Sequence, residues 1–113
     1  MFEDNIKLEN DIEKAMRLKN NTSEILYKNG IRAIRLHQTD VVTFHPNGYV
    51  TFNTGGWRTA TTKVRINEYA PDTFTVRQVK GEWYFMRGDN VIARMNGNTL
   101  TFNPKTGRVV ENS

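Results

Sequence analysis

Residues 41–53 constrain this chain more than any other stretch. Val41-Val42-Thr43-Phe44-His45 leads into Pro46-Asn47-Gly48 and then into Tyr49-Val50-Thr51-Phe52-Asn53. A three-residue loop ending in glycine favours a type I turn followed by a bulge. That turn sets Phe44 opposite Val50, Thr43 opposite Thr51 and Val42 opposite Phe52. Val42, Phe44, Val50 and Phe52 then all fall on one face, with Thr43, His45, Tyr49 and Thr51 on the other. Because strand side chains alternate, a slip of one residue would turn every one of them to the wrong side. The two strands agree on what to bury, so the segment is a hairpin on one face of a core.

The same period of two extends around it. Residues 31–37 form a strand candidate with Ile34 and Leu36 on one face. A second hairpin runs through 73–79, Lys80-Gly81 and 82–87; its two-residue turn opposes Val76 to Phe85, Gln78 to Trp83 and Arg77 to Tyr84. Phe74, Val76, Trp83 and Phe85 are thereby buried together. A third is expected from 91–95, Asn96-Gly97 and 98–102, since Asn-Gly is a strong type I′ signal; it would bury Val91, Ala93, Leu100 and Phe102. Residues 54–60 are a loop around Gly55-Gly56. Residues 61–70 suit a strand or a short helix ending before Pro71, and the spacing of Val64, Ile66 and Tyr69 favours the helix. The tail beyond Pro104 adds a short strand at Arg108-Val109-Val110 or frays.

Ahead of the strands, Phe2, Ile6, Ile12 and Met16 recur near helical spacing, with Leu8, Ala15 and Leu18 widening the stripe. Carboxylates gather in the first half of 3–20 and Lys14, Arg17 and Lys19 in the second, which suits a helix dipole. Asn20-Asn21 would end that helix, and Thr22 or Ser23 would cap a shorter one through Ile25-Leu26-Tyr27. The expected fold is therefore α+β: an N-terminal helical segment over 1–30, then a curved, mainly antiparallel sheet of six to seven strands over 31–110, in one domain.

Composition narrows the function. The chain has 113 residues and a net charge of +4, with no cysteine and two histidines. Without thiolates, and with too few imidazoles for three or four convergent ligands, no metal site or cofactor is expected. Residues 1–13 carry Glu3, Asp4, Glu9, Asp11 and Glu13 against Lys7 alone, so the rest of the chain holds twice the overall positive charge. A basic sheet beside an acidic leader suggests an anionic partner for the sheet, or an acidic segment packed on a basic neighbouring subunit. No apolar run is long enough for a membrane helix, and the acidic start does not resemble a signal peptide. A cytoplasmic location is the expectation.

Among candidate chemistries, His37 and Asp40 form the minimum of a general base. The only serines are Ser23 and Ser113, and neither stands near that pair; Asp40 capping its own turn explains the pattern as well. A nucleotide site has more to recommend it. Asn53-Thr54-Gly55-Gly56-Trp57-Arg58-Thr59-Ala60-Thr61-Thr62-Lys63 combines close backbone approach, hydroxyls, two cations and one large aromatic. Phosphate would be met there by backbone N–H groups, by Thr59, Thr61 and Thr62, and by Arg58 and Lys63. Thr61 or Thr62 as a helix cap would add an N-terminal anion site. The competing explanation is a glycine bend whose Trp57 fills the core. Arg77 beside Tyr84 could hold a nucleobase; Trp83, Asn90 and Arg108 complete the candidate set.

Leu36-His37-Gln38-Thr39-Asp40-Val41-Val42-Thr43-Phe44, Gly55-Gly56-Trp57-Arg58-Thr59 with Thr61-Thr62-Lys63 and Arg65-Ile66-Asn67, and Gly81-Glu82-Trp83-Tyr84 resemble a small protein family widespread in bacteriophage genomes. The likeness covers about residues 31–86. The chain also looks like the anti-Thoeris proteins, which sequester cyclic ADP-ribose-type signals without cleaving them. That resemblance implies a homo-oligomeric sponge in the host cytoplasm, not an enzyme, with arginines and aromatics enclosing a small nucleotide between subunits. The alternatives are a basic accessory module for single-stranded nucleic acid or a host protein, and a small hydrolase built on His37 and Asp40.

Overall fold

The computed structural model describes residues 11–113. In chain order its elements are β1 (Ile12–Lys19), β2 (Thr22–Tyr27), β3 (Arg32–Leu36), β4 (Thr39–Phe44), β5 (Val50–Asn53), α1 (Ala60–Tyr69), β6 (Phe74–Val79), β7 (Glu82–Arg87), β8 (Asn90–Arg94), β9 (Thr99–Phe102) and β10 (Val109–Asn112). The α+β expectation of one curved sheet of six to seven strands does not hold: the chain is mostly β, and its ten strands form two antiparallel sheets, one of seven in the order β1-β2-β3-β4-β5-β9-β10 and one of three in the order β6-β7-β8.

The expected N-terminal helical segment is overturned wherever it falls on described residues. Residues 12–19 and 22–27 are the paired strands β1 and β2, with Ala15 opposite Ile25 and Lys19 opposite Thr22; residues 3–10 lie outside the described part. Asn20-Asn21, expected as a helix stop, is the hairpin turn, and Asn21 takes the left-handed conformation at φ 56° that asparagine tolerates in tight turns. Helix propensity lost to pairing here. As strands, Ile25 and Tyr27 bury completely against Ala33 of β3 in a small cluster of their own, which a lone amphipathic helix would have had no wall to match.

The Pro46-Asn47-Gly48 hairpin has the expected register: Val42 faces Phe52, Thr43 faces Thr51 and Phe44 faces Val50. The β6–β7 hairpin also pairs as expected, with Val76 opposite Phe85, Arg77 opposite Tyr84 and Gln78 opposite Trp83. The third expected hairpin does not form. β8 pairs with β7 in the small sheet, whereas β9 crosses to the large sheet and pairs with β5, Leu100 opposite Phe52 and Phe102 opposite Val50. Val91, expected inside, is 61% exposed. Gly97 does not take a positive φ, so it does not make the type I′ turn that Asn-Gly suggested. Its lack of a side chain serves close approach instead: an added Cβ would lie 2.4 Å from the carbonyl carbon of Ser113.

The inner faces of the two sheets meet in one core. Phe52 and Phe102 from the large sheet pack with Phe74 and Phe85 from the small one, ring centroids 4.5–5.8 Å apart. Such aromatic pairs add about 0.5–1.5 kcal/mol each beyond their buried area. Helix α1 closes one side of this core, inserting Ile66 and Thr62. Thr59, rather than Thr61 or Thr62, is its N-cap, its hydroxyl accepting from the Thr62 N–H. The helix ends before Pro71, as the restriction on residues preceding proline requires. The tail forms β10, with Val109 opposite Phe102.

Candidate functional site

The glycine-threonine bend is built by contacts that its sequence conceals. Thr54 is buried; its N–H donates to the Asn98 carbonyl at 2.9 Å and its hydroxyl to Asn98 Oδ1 at 3.0 Å. Gly55 has φ 63°, and a Cβ there would lie 2.5 Å from Thr39 Oγ1. Only glycine lets the bend press on the β3–β4 turn. This approach sets Trp57 and the start of α1 opposite that turn and opens a cleft of about 570 Å³ between them. Leu36, His37, Gln38, Thr39 and Val41 line one wall; Trp57, Thr59, Thr61 and Thr62 line the other. Trp57 does not fill the core: it is 67% exposed.

The electrostatics of this cleft differ from the expectation. None of its lining side chains carries a fixed charge. Arg58 turns away and donates through Nη2 to the Gly97 carbonyl at 2.8 Å, tying the bend to the chain that crosses between sheets. Lys63 lies on another face, its Nζ donating to Gln78 Oε1 at 3.2 Å. What the cleft offers an anion is the N-terminus of α1. Its first turn holds no acidic residue, and the first N–H groups of a helix have no acceptor within it.

No hydrogen bond joins His37 to Asp40. His37 sits in the turn at φ 55°, while Asp40 accepts from Arg35 Nε at 2.8 Å and from the Tyr27 hydroxyl. Burial, and then the neighbouring carboxylate of Asp40, push the Tyr27 hydroxyl well above the ordinary tyrosine range. This trio pins the β2–β3–β4 corner under the turn. His45 bonds Thr51 Oγ1 at 2.8 Å, and burial lowers its proton affinity. Among the described residues, no group of three or more His, Asp or Glu side chains could hold a metal ion, and no helix is long and apolar enough to cross a membrane.

A second surface is the outer face of the small sheet. Phe74, Val76, Trp83 and Phe85 point into the core, so the alternate residues point outward. There the register sets Arg77, Tyr84 and Arg94 side by side in one row across β6, β7 and β8. At the edge of this face, Lys63, Asn67, Arg77, Gln78 and Asp89 border a shallow hollow of about 300 Å³. Asn67 is structural: its amide brackets Val76, accepting from the N–H at 2.8 Å and donating to the carbonyl at 3.0 Å.

The candidate residues thus separate. Trp57, Thr59, Thr61 and Thr62 share the cleft wall, and Lys63 and Arg77 share the hollow near Tyr84. Trp83 is fully buried in the core, its indole N–H without a hydrogen-bond partner, and cannot stack on a ligand. Asn90 opens β8 opposite Arg87, and Arg108 is exposed just before β10; neither lines the cleft or the hollow. His37, Gln38 and Thr39 were missed as cleft residues, although their polar run at a strand end marked a turn. Arg94 joins the Arg77–Tyr84 row because β8 pairs with β7 rather than with β9.

A protein-family model described as Kyanoviridae Gp96 protein matches residues 4–105. No curated protein and no solved structure matches the chain.

Proposed function

Because the chain belongs to the Kyanoviridae Gp96 protein family, a family of phage proteins, we propose that it is an anti-defence protein that captures a small nucleotide signal of the infected host and holds it uncleaved. The observation that carries this reading is the cleft of about 570 Å³ beneath Trp57, within the range of roughly 300–1,000 Å³ usual for small-molecule sites. Each part of a cyclic ADP-ribose-type ligand has a counterpart there. The base stacks on the exposed Trp57 ring, a phosphate sits at the N-terminus of α1, and Gln38, Thr39 and Thr61 reach ribose hydroxyls. These are groups that bind; the reading asks for affinity and no turnover.

The exposure of Trp57 supports the oligomeric part of the proposal, since a second subunit closing over the ring would enclose what one subunit leaves open. Native mass spectrometry of the protein with a panel of cyclic nucleotides and ADP-ribose derivatives tests both parts. The expected result is an oligomer carrying a stoichiometric ligand, recovered unchanged on denaturation and lost in Trp57→Ala. Recovery of a cleaved product, or no uptake from the panel, overturns the proposal.

A further inference from the structure

The outer face of the small sheet carries a function separate from the cleft: we infer that the Arg77–Tyr84–Arg94 row is a contact surface for single-stranded nucleic acid. Six of the nine arginines are at work in the fold. Arg17 bonds Asn20, Arg32 pairs with Glu24, and Arg35 with Asp40. Arg58 holds the Gly97 carbonyl, Arg65 bonds Thr22 and Glu68, and Arg87 lies 3.5 Å from Asp72. Among the described residues only Arg77, Arg94 and Arg108 lack such a side-chain partner. Two of these three flank the same tyrosine.

Their geometry suits a nucleotide. Neighbouring strands lie about 4.8 Å apart, so the two guanidinium-bearing strands stand about 10 Å apart with the Tyr84 ring between them. A base stacked on that ring would have a cation on each side for its flanking phosphates. The half-buried ring is held by the sheet, so little side-chain freedom is lost on binding. Next to the row, exposed Val79 on one side and Val91 on the other continue an apolar floor. Lys63 borders the hollow beside Arg77 and adds positive charge at the edge of this face. Lys80 at the β6–β7 turn adds a further positive charge, and among the described residues the acidic groups near this face are Glu82 and Asp89. A small molecule is bound by enclosure of most of its surface, which this open face does not provide. A polymer that crosses it gains affinity from repeated stacking and phosphate contacts instead.

Fluorescence anisotropy with labelled oligo-dT and oligo-rU of about fifteen nucleotides, near the upper end of single-strand site sizes, tests the inference and separates DNA from RNA. Two phosphate contacts predict that log K falls with log salt at a slope of about −1.4. Arg77→Ala with Arg94→Ala should flatten that slope, and Tyr84→Ala should weaken binding about tenfold, whereas Tyr84→Phe should retain it. Arg108→Ala should bind as the parent does. Trp57→Ala should also leave oligonucleotide binding intact, so failure of the cleft reading and failure of this one are distinguishable. The inference is overturned if neither oligonucleotide binds at about 50 mM salt, or if Tyr84→Ala binds like the parent. Displacement of the oligonucleotide by polyglutamate of equal charge, as effectively as by unlabelled oligonucleotide, also overturns it, since that marks a surface for any polyanion.

Discussion

The bend at residues 54–63 and the outer face of the small sheet contain the same kinds of side chain and use them in opposite ways. In the bend, Thr54 bonds Asn98, Arg58 holds a backbone carbonyl and Thr59 caps a helix. On the sheet face, Arg77 and Arg94 make no such bonds and stand free beside Tyr84. A donor-rich sequence therefore does not amount to a donor-rich surface. Inside a fold, polar groups that lose water must find partners, and the bend's donors are spent on each other and on the crossing chain. What the bend leaves for a ligand is the space it encloses, the ring of Trp57 and a helix terminus.

This contrast can be broken or sharpened by substitution. The largest effect is expected at Gly55. Alanine there must adopt φ 63° and meet Thr39 Oγ1 at 2.5 Å, so Gly55→Ala should cost about 2 kcal/mol or more by urea denaturation; an unchanged midpoint would show that the bend does not rest on the β3–β4 turn. Arg58→Ala comes next. Leaving the Gly97 carbonyl without its charged donor should cost about 1.5 kcal/mol, and a loss no larger than that of an ordinary surface residue would return Arg58 to the list of available cations. Thr59→Ala removes the cap of α1 and should cost about 1 kcal/mol, with Thr59→Ser close to neutral.

A pH series separates the regions further, because both histidines lie in the large-sheet part of the chain. Burial lowers the folded-state pKa of His45, so the unfolded chain takes up the proton first. Stability should then fall as pH drops from about 6.5 toward the folded value, and His45→Gln should remove that slope in denaturation midpoints. The smallest effects are expected on the sheet face. Arg77→Ala and Arg94→Ala should each change stability by less than about 0.5 kcal/mol; a larger loss would mean that these arginines serve the fold after all.

Local pattern carried some elements and failed for others for identifiable reasons. The β4–β5 and β6–β7 hairpins were legible because turn length and alternation each dictated the same register. Helix α1 was legible in its extent but not in its cap, since Thr59, Thr61 and Thr62 are chemically equivalent until the bend sets which backbone is extended. β1 and β2 misled because their apolar residues sit at spacings that also suit a helix, while pairing decided between the two. The site followed the same division. Trp57, Thr59, Thr61 and Thr62, neighbours in one donor-rich run, line the same cleft wall, whereas the facing wall of His37, Gln38 and Thr39 lies some twenty residues away in sequence and is brought there only by the Gly55–Thr39 approach.

By itself the sequence determined two hairpins, the buried faces of their strands and the helix before Pro71, because these depend on turn geometry and on neighbours a few residues apart. Only the tertiary structure decided that the N-terminal stretch from residue 12 pairs as strands, that β8 and β9 part into different sheets across Gly97, and which arginines remain free. Those outcomes depend on which distant backbone and which distant carboxylate each segment meets. An unpaired strand edge or a buried charge takes whatever partner the packed chain supplies, and alternation along the sequence does not encode that choice.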